Sequence, residues 1–260
     1  MASQPPANLP LFYKNLTPLS SQTHSKFRSR PSTKAPFFAN THAVPLTVDE
    51  FILAQRYYPI VFSAGDNPVP LGLFGLHEGV NVFVDDEGGL RQETYVPAYV
   101  RRYPWMLAKL NQSSDELSLC FDPTCDLIGE SDEGDVLFDD GKPSVATKNI
   151  LDFCEDFEKA AQRTSAFVKE LQDLELLMDG EVAIQISPEQ QPYIYRGFQM
   201  VNEEKLRDLR GDTLRKINQN GMLGLIMAHL FSLSLVREIF GKQMAQGSVP
   251  PQQPATAPAA

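Results

Sequence analysis

Residues 222–236 read MLGLIMAHLFSLSLV, a tract interrupted only by Gly224, His229, Ser232 and Ser234. At 15 residues it falls short of the roughly 20 that a bilayer-spanning helix needs. The economical reading is a core helix, which requires other elements to cover it. A histidine inside such a helix must satisfy two ring nitrogens away from water, so His229 is expected as a neutral imidazole bonded to backbone or hydroxyl groups. Ser232 and Ser234 share the helix but lack the Gly-x-Ser-x-Gly turn that exposes a serine nucleophile.

The covering elements are legible upstream. Thr47 and Glu50 form a capping-box pair ahead of VDEFILAQRYY, predicting a short helix ended by Pro59, with PIVFSA following as a buried strand. Between residues 69 and 84 apolar runs alternate with glycines. Asp86, Gly88 and Gly89 then supply a turn before LRQETYVPAYV, so hairpin-linked strands are expected there. Pro97 suits the start of a single helical turn through Arg102; Pro104 breaks it, and WMLAKL pairs with LSLCF across the polar turn at residues 111–116.

From Ser144 to Met178, apolar residues recur at spacings of three and four, predicting one long amphipathic helix stopped by Asp179 and Gly180. Val182, Ile184 and Ile186 alternate as a strand, SPEQQP turns the chain, and YIYRGFQMV pairs back on it. Asn202 caps a helix carrying Leu206, Leu209, Leu214 and Ile217, Asn220 and Gly221 end it, and the apolar helix runs from Met222 to Phe240. The sum is an α+β protein: a mostly antiparallel sheet, a long amphipathic helix and a C-terminal apolar helix in a single compact domain.

Charge is divided unevenly. No acidic residue precedes Asp49, whereas Lys14, Lys26, Arg28, Arg30 and Lys34 give that segment +5 against −15 for the remainder, making up the net −10. The basic segment is expected to lie as an arm on the protein's own acidic body, with LFYKNLTPLS as an edge strand and SSQTHSKFRSRPSTKAP as a loop. An acidic chain without clustered cations is not built for nucleic acid. The start, MASQPPANLPLF, lacks the charged and apolar regions of a secretory signal, so a cytoplasmic location is expected, with no transmembrane segment. Cys120, Cys125 and Cys154 are an odd set, better suited to reduced thiols than to a disulfide framework.

No constellation announces chemistry. His24, His42, His77 and His229 are isolated in sequence, and Cys120 and Cys125 have no second ligand pair to complete a zinc site. The acidic residues between Glu130 and Asp140 lack the ligand spacing of a calcium loop, and Gly72, Gly75 and Gly79 match no phosphate loop. Neither a metal nor any other cofactor is called for. The segment YVPAYVRRYPW is the leading candidate surface: Tyr95, Tyr99, Tyr103 and Trp105 around Arg101 and Arg102 offer stacking and anion contacts to a peptide or protein partner. Two rivals stand beside it: an enzyme, hydrolase or peptide-modifying, whose site assembles from His229, Cys125, Asp122 or Arg102 only on folding, and a small-molecule-binding module.

NLPLFYKNLTPL, HAVPLTVDEFILAQRYYPIVFS, ETYVPAYVRRYPWML, LCFDPTCDLIGE, LFDDGKPS, GFQMVNEEKLRDL and GMLGLIMAHLFSL, taken in order, resemble the SapC family of bacterial proteins. The resemblance runs over residues 9–240, leaving residues 1–8 as a flexible N-terminus and 241–260 as a disordered Pro/Ala/Gln-rich tail. It implies a link to the bacterial envelope or surface layer, from which the family takes its name, and a non-enzymatic accessory or interaction role. It brings no catalytic residues. Pro97, Arg101, Arg102, Pro104, Asp122, Cys125, Gly129 and His229 are the matching positions to inspect.

Overall fold

The computed structural model describes residues 9–110, 116–186 and 191–248. Its elements are β1 (Thr17–Pro18), β2 (Phe27–Ser29), β3 (Ala43–Pro45), α1 (Phe51–Ala54), β4 (Ile60–Ser63), β5 (Pro70–Leu73), α2 (Ala98–Arg102), β6 (Trp105–Lys109) and β7 (Leu117–Phe121). There follow β8 (Ile128–Glu130), β9 (Asp135–Val136), β10 (Phe138–Asp139), β11 (Lys142–Pro143), α3 (Val145–Asp173), β12 (Leu177–Ile184) and β13 (Tyr193–Val201). Four helices close the chain: α4 (Glu203–Arg207), α5 (Gly211–Gln219), α6 (Met222–Ser232) and α7 (Val236–Ala245). The expected α+β class is observed, with every named strand pairing antiparallel.

The largest sheet has the order β12-β13-β4-β5-β3, and a smaller one runs β1-β7-β6. Helix α3 serves both. Its first half places Ile150, Leu151 and Cys154 against Trp105, Leu107 and Phe121 of the small sheet. Its second half places Phe167, Val168 and Leu171 in the main core with Phe51 and Phe62. A helix of 29 residues spans roughly 44 Å at 1.5 Å per residue, enough to join two cores. Its start is set by Ser144, whose hydroxyl accepts the Thr147 amide at 3.2 Å.

Its end differs from expectation. The helix stops at Asp173, and Asp179 and Gly180 lie inside β12. The stop is a Schellman closure: Glu175 takes the left-handed conformation (φ 52°), its amide reaches the Gln172 carbonyl, and the Leu176 amide reaches Leu171 at 2.9 Å. Gly180 has a packing role instead, since a β-carbon there would stand 2.1 Å from the Phe198 ring.

Three further readings change. The segment expected as a loop contains β2, which lies between β8 and β9 of the acidic region and pairs Phe27 with Glu130 and Ser29 with Asp135. The basic arm does lie on the acidic body, with Arg28 Nη1 donating to the Gly134 carbonyl at 2.9 Å and Lys34 paired with Glu87. The strand expected after Leu90 is limited to a single bridge between Val84 and Leu90, and the segment beyond it is tied to Glu50 through the Tyr95 hydroxyl and the Ala98 amide. The helix after Asn202 is two helices, α4 and α5.

The apolar helix is interrupted by a 3-10 turn at Leu233–Leu235 and continues past Phe240 to Ala245, where Gln243 is fully buried. Met222–Ala245 is 24 residues long and contains an 18-residue stretch of mean hydropathy 1.6, long and apolar enough by length and composition to cross a membrane. In this fold its inner face is interior, with Met222, Ile226, His229, Ser232, Val236 and Ile239 buried and Phe231 exposed. The tail expected to be disordered from residue 241 is instead helical through Ala245, while its residues 249–260, the expected flexible residues 1–8, and residues 111–115 and 187–190 of the two expected turns lie outside the described residues.

Candidate functional site

Glu50 organises the segment that carries the candidate surface. Its buried carboxylate accepts the Thr47 amide and hydroxyl on Oε2 at 2.8 and 2.9 Å, completing the carboxylate half of the expected capping box. On Oε1 it accepts the Tyr95 hydroxyl at 3.1 Å and the Ala98 amide at 2.6 Å, which fixes the entry into α2 next to Pro97. Four donors satisfy a carboxylate that would otherwise be costly to bury.

The two arginines then part company. Arg102 is 5% exposed and points inward, its guanidinium 4.1 Å from the Phe157 ring centre, 5.1 Å from Tyr99 and 5.9 Å from Tyr13, with Nη1 on Glu158 at 3.2 Å. Its Nε has no hydrogen-bond partner among the described residues. Arg101 lies at the surface, donating through Nε to the Val96 carbonyl and through Nη2 to the Tyr95 hydroxyl, with the Phe153 ring beneath it at 5.3 Å. Tyr99 and Trp105 are interior: Tyr99 donates to the Leu11 carbonyl at 3.2 Å, and the Trp105 carbonyl accepts the Tyr13 hydroxyl at 2.6 Å. Burial raises the Tyr13 and Tyr99 hydroxyls above the ordinary phenol range even with Arg102 alongside, so both stay protonated. Of the six residues read as one surface, Tyr99, Arg102 and Trp105 are therefore packing residues, Tyr95 is a half-buried brace, and Arg101 and Tyr103 remain to meet a ligand.

Those two line a cleft that the sequence did not reveal. It has two lobes, of about 400 and 460 Å³, sharing Ser32, Lys34, Phe37, Tyr103 and Leu127. One lobe continues to Val84, Leu90, Val96, Val100 and Arg101, and the other to Phe12, Lys14, Thr124, Cys125 and Asp126. The Phe37 and Tyr103 rings meet at 4.2 Å at the junction. The N-terminal arm thus builds one wall, and the body supplies the other. The arm is held by Asp122, a fully buried carboxylate that accepts the Lys14 amide on Oδ2 at 2.6 Å and the Thr124 amide and hydroxyl on Oδ1 at 2.9 and 2.8 Å. The only sequence signal for this wall was the absence of acidic residues before Asp49.

The residues singled out for chemistry serve other purposes. His229 is buried, with Nδ1 2.7 Å from the Ile60 carbonyl oxygen and Nε2 accepting the Val201 amide at 3.1 Å. The carbonyl requires the proton on Nδ1, so both ring nitrogens are occupied by backbone. Burial lowers its pKa to about 4 against a smaller opposing effect from Ile60, which makes it neutral. Ser232 accepts the Ile60 amide at 2.8 Å and donates to the His229 carbonyl at 2.6 Å, so the pair stitches a helix to a strand. Cys125 faces Tyr103 at the cleft, and burial raises its thiol above the usual range, as it does Cys120 (to about 11) and Cys154 (to about 12). A thiol so placed is a poor nucleophile at neutral pH. Gly129 is a strand residue opposite Arg28, and the Pro104 carbonyl accepts the Asp122 amide at 2.9 Å.

Among the described residues, no group of three or more His, Cys, Asp or Glu side chains is placed to hold a metal ion. What the cleft offers is aromatic faces, hydroxyls and ammonium and guanidinium groups, balanced by Glu87 and Asp126. Residues 19–239 match the family model described as SapC. No curated protein and no solved structure matches the chain.

Proposed function

The chain belongs to the SapC family, and from that membership we propose that it is a non-enzymatic accessory or interaction protein of the bacterial envelope or surface layer, which holds a peptide segment in the cleft between arm and body. The observation that carries this reading is the cleft's lining. Phe12, Phe37 and Tyr103 supply aromatic faces at its centre, Val84, Leu90 and Val96 make one end apolar, and Lys14, Thr124 and Asp126 make the other polar. Apolar walls with a few polar groups favour non-covalent binding of a chain that presents both kinds of surface. Three of the four groups on which an enzyme reading would rest are engaged elsewhere, His229 with Ile60 and Val201, Arg102 with Glu158, and Asp122 with Lys14 and Thr124, and the fourth, Cys125 in the cleft, has a thiol raised by burial.

The test is titration calorimetry of the purified chain against a peptide panel. Ser32→Trp plugs the junction shared by both lobes from the exposed arm, and Arg101→Ala removes the accessible guanidinium without touching the core. Each variant is expected to weaken binding by at least about tenfold, roughly 1.4 kcal/mol. Unchanged affinity in both would remove the cleft from the account.

A further inference from the structure

The last helix ends on a buried amide whose orientation is determined by its neighbours. Gln243 has no exposed surface, and all of its polar groups are engaged. Oε1 accepts the Leu76 amide at 2.7 Å, Nε2 donates to the Ser248 carbonyl at 2.8 Å, and Nε2 lies 3.1 Å from His77 Nδ1. A backbone N–H requires the oxygen and a carbonyl requires the NH2 group, so two backbone partners fix which end of the amide is which. The second amide hydrogen then points at His77 Nδ1, which must present a lone pair. That is the neutral imidazole with its proton on Nε2.

Protonation breaks this arrangement. An imidazolium carries hydrogens on both nitrogens, setting two donors face to face. Turning the amide over gives no relief, because NH2 would then meet the Leu76 amide and the oxygen would meet the Ser248 carbonyl. The surrounding charges bear on the same change. Glu78 follows His77 in the chain and is exposed, offering the imidazolium a counter-charge outside the pocket. His42, just before β3, feels both, its basicity lowered by burial, raised by Glu78 and lowered again by His77. From α7, Lys242 sits over the Phe83 ring at 4.4 Å and interacts with Glu238. Gln246 adds a second tie to the same loop, donating to the Val82 carbonyl at 3.2 Å.

We propose that His77 and Gln243 form an acid-released latch, which holds the end of α7 through Ser248 against residues 76–83 at neutral pH and loosens it in mildly acidic surroundings. The trigger is protonation of the imidazole, which replaces the lone pair on Nδ1 by a hydrogen. Losing one net hydrogen bond corresponds to a roughly five- to tenfold loss of protection.

The test is amide exchange on the full chain at about pH 8 and about pH 5, each rate divided by its intrinsic value at that pH. In the wild type, the Leu76, Gln246 and Ser248 amides are expected to lose protection roughly five- to tenfold relative to the core amide of Ile60. His77→Gln cannot titrate and should abolish that change, while His42→Gln should retain it. Nitrogen NMR at neutral pH should find the His77 proton on Nε2. The same pH response in wild type and His77→Gln, no response in the wild type, loss of the response in His42→Gln, or a proton on Nδ1 would each overturn the latch.

Discussion

His229 Nδ1 lies 2.7 Å from the carbonyl oxygen of Ile60, so the apolar C-terminal helix is bonded to the middle strand of the five-stranded sheet. Holding that imidazole neutral makes stability depend on pH. Burial lowers its pKa from 6.5 to about 4, so the folded chain binds this proton more weakly than the unfolded chain does. The contribution is whole above about pH 6.5 and is lost as pH falls through about 4, on the order of 3 kcal/mol. His229→Asn cannot titrate, so its urea midpoint should fall less than that of the wild type between about pH 7 and about pH 4. Parallel profiles would mean that His229 is not the group responsible.

The end of α3 shows what the sequence conveyed and what it concealed. Amphipathic spacing marked the helix and alternation marked the β12–β13 hairpin, because one face of each is buried in the main core. The stop was misplaced because Glu175, at the left-handed position, carries a β-carbon where glycine is usual, while the nearby Gly180 is there for the Phe198 ring. Glu175→Gly should remove roughly 1–2 kcal/mol of left-handed strain, partly offset by up to about 1 kcal/mol of added unfolded-state entropy. A gain of about 1 kcal/mol would raise Tm by roughly 2–4 °C. A fall in Tm would mean that the Glu175 ion pair with Lys205 outweighs the strain.

Gly180→Ala should act in the opposite direction. The added methyl must displace the Phe198 ring in the middle of the hairpin, a cost of about 1–3 kcal/mol. Phe198→Leu in the same chain makes room and should recover part of the loss, and a double-mutant cycle in urea reads the coupling. Additive effects would show that the two residues do not compete for the same space.

Arg101 and Arg102 are indistinguishable as sequence, since both lie between Tyr99 and Tyr103 in a segment that reads as a sticky surface. Only the packing of α2 against α3 separates them, by burying one guanidinium among Tyr13, Tyr99 and Phe157. Arg102→Ala leaves Glu158 without its partner and opens a space among three rings, so a loss of roughly 2–4 kcal/mol is expected. Arg101→Ala, at the surface, should stay within about 1 kcal/mol of the wild type. Urea unfolding of the two variants checks the contrast, and equal losses would contradict the placement.

The cleft wall was hidden for a related reason: the arm is drawn to the body by single buried groups that no local pattern announces. Asp122 is the clearest, its fully buried carboxylate taking the Lys14 amide and both Thr124 donors. Asp122→Ala strands three donors and should cost roughly 2–4 kcal/mol. The loss should also be uneven, because the Lys14 contact ties the arm while β4 and β13 bury their own face. At low protease concentration in the absence of denaturant, cleavage between residues 9 and 35 should therefore precede cleavage in α3. Restoring an acceptor with Asp122→Asn should slow the early cut, since its amide oxygen can still take the Lys14 amide that ties the arm. If the arm and α3 are cut together in Asp122→Ala, the arm is an integral part of the cooperative core, and the cleft between them has two fixed walls.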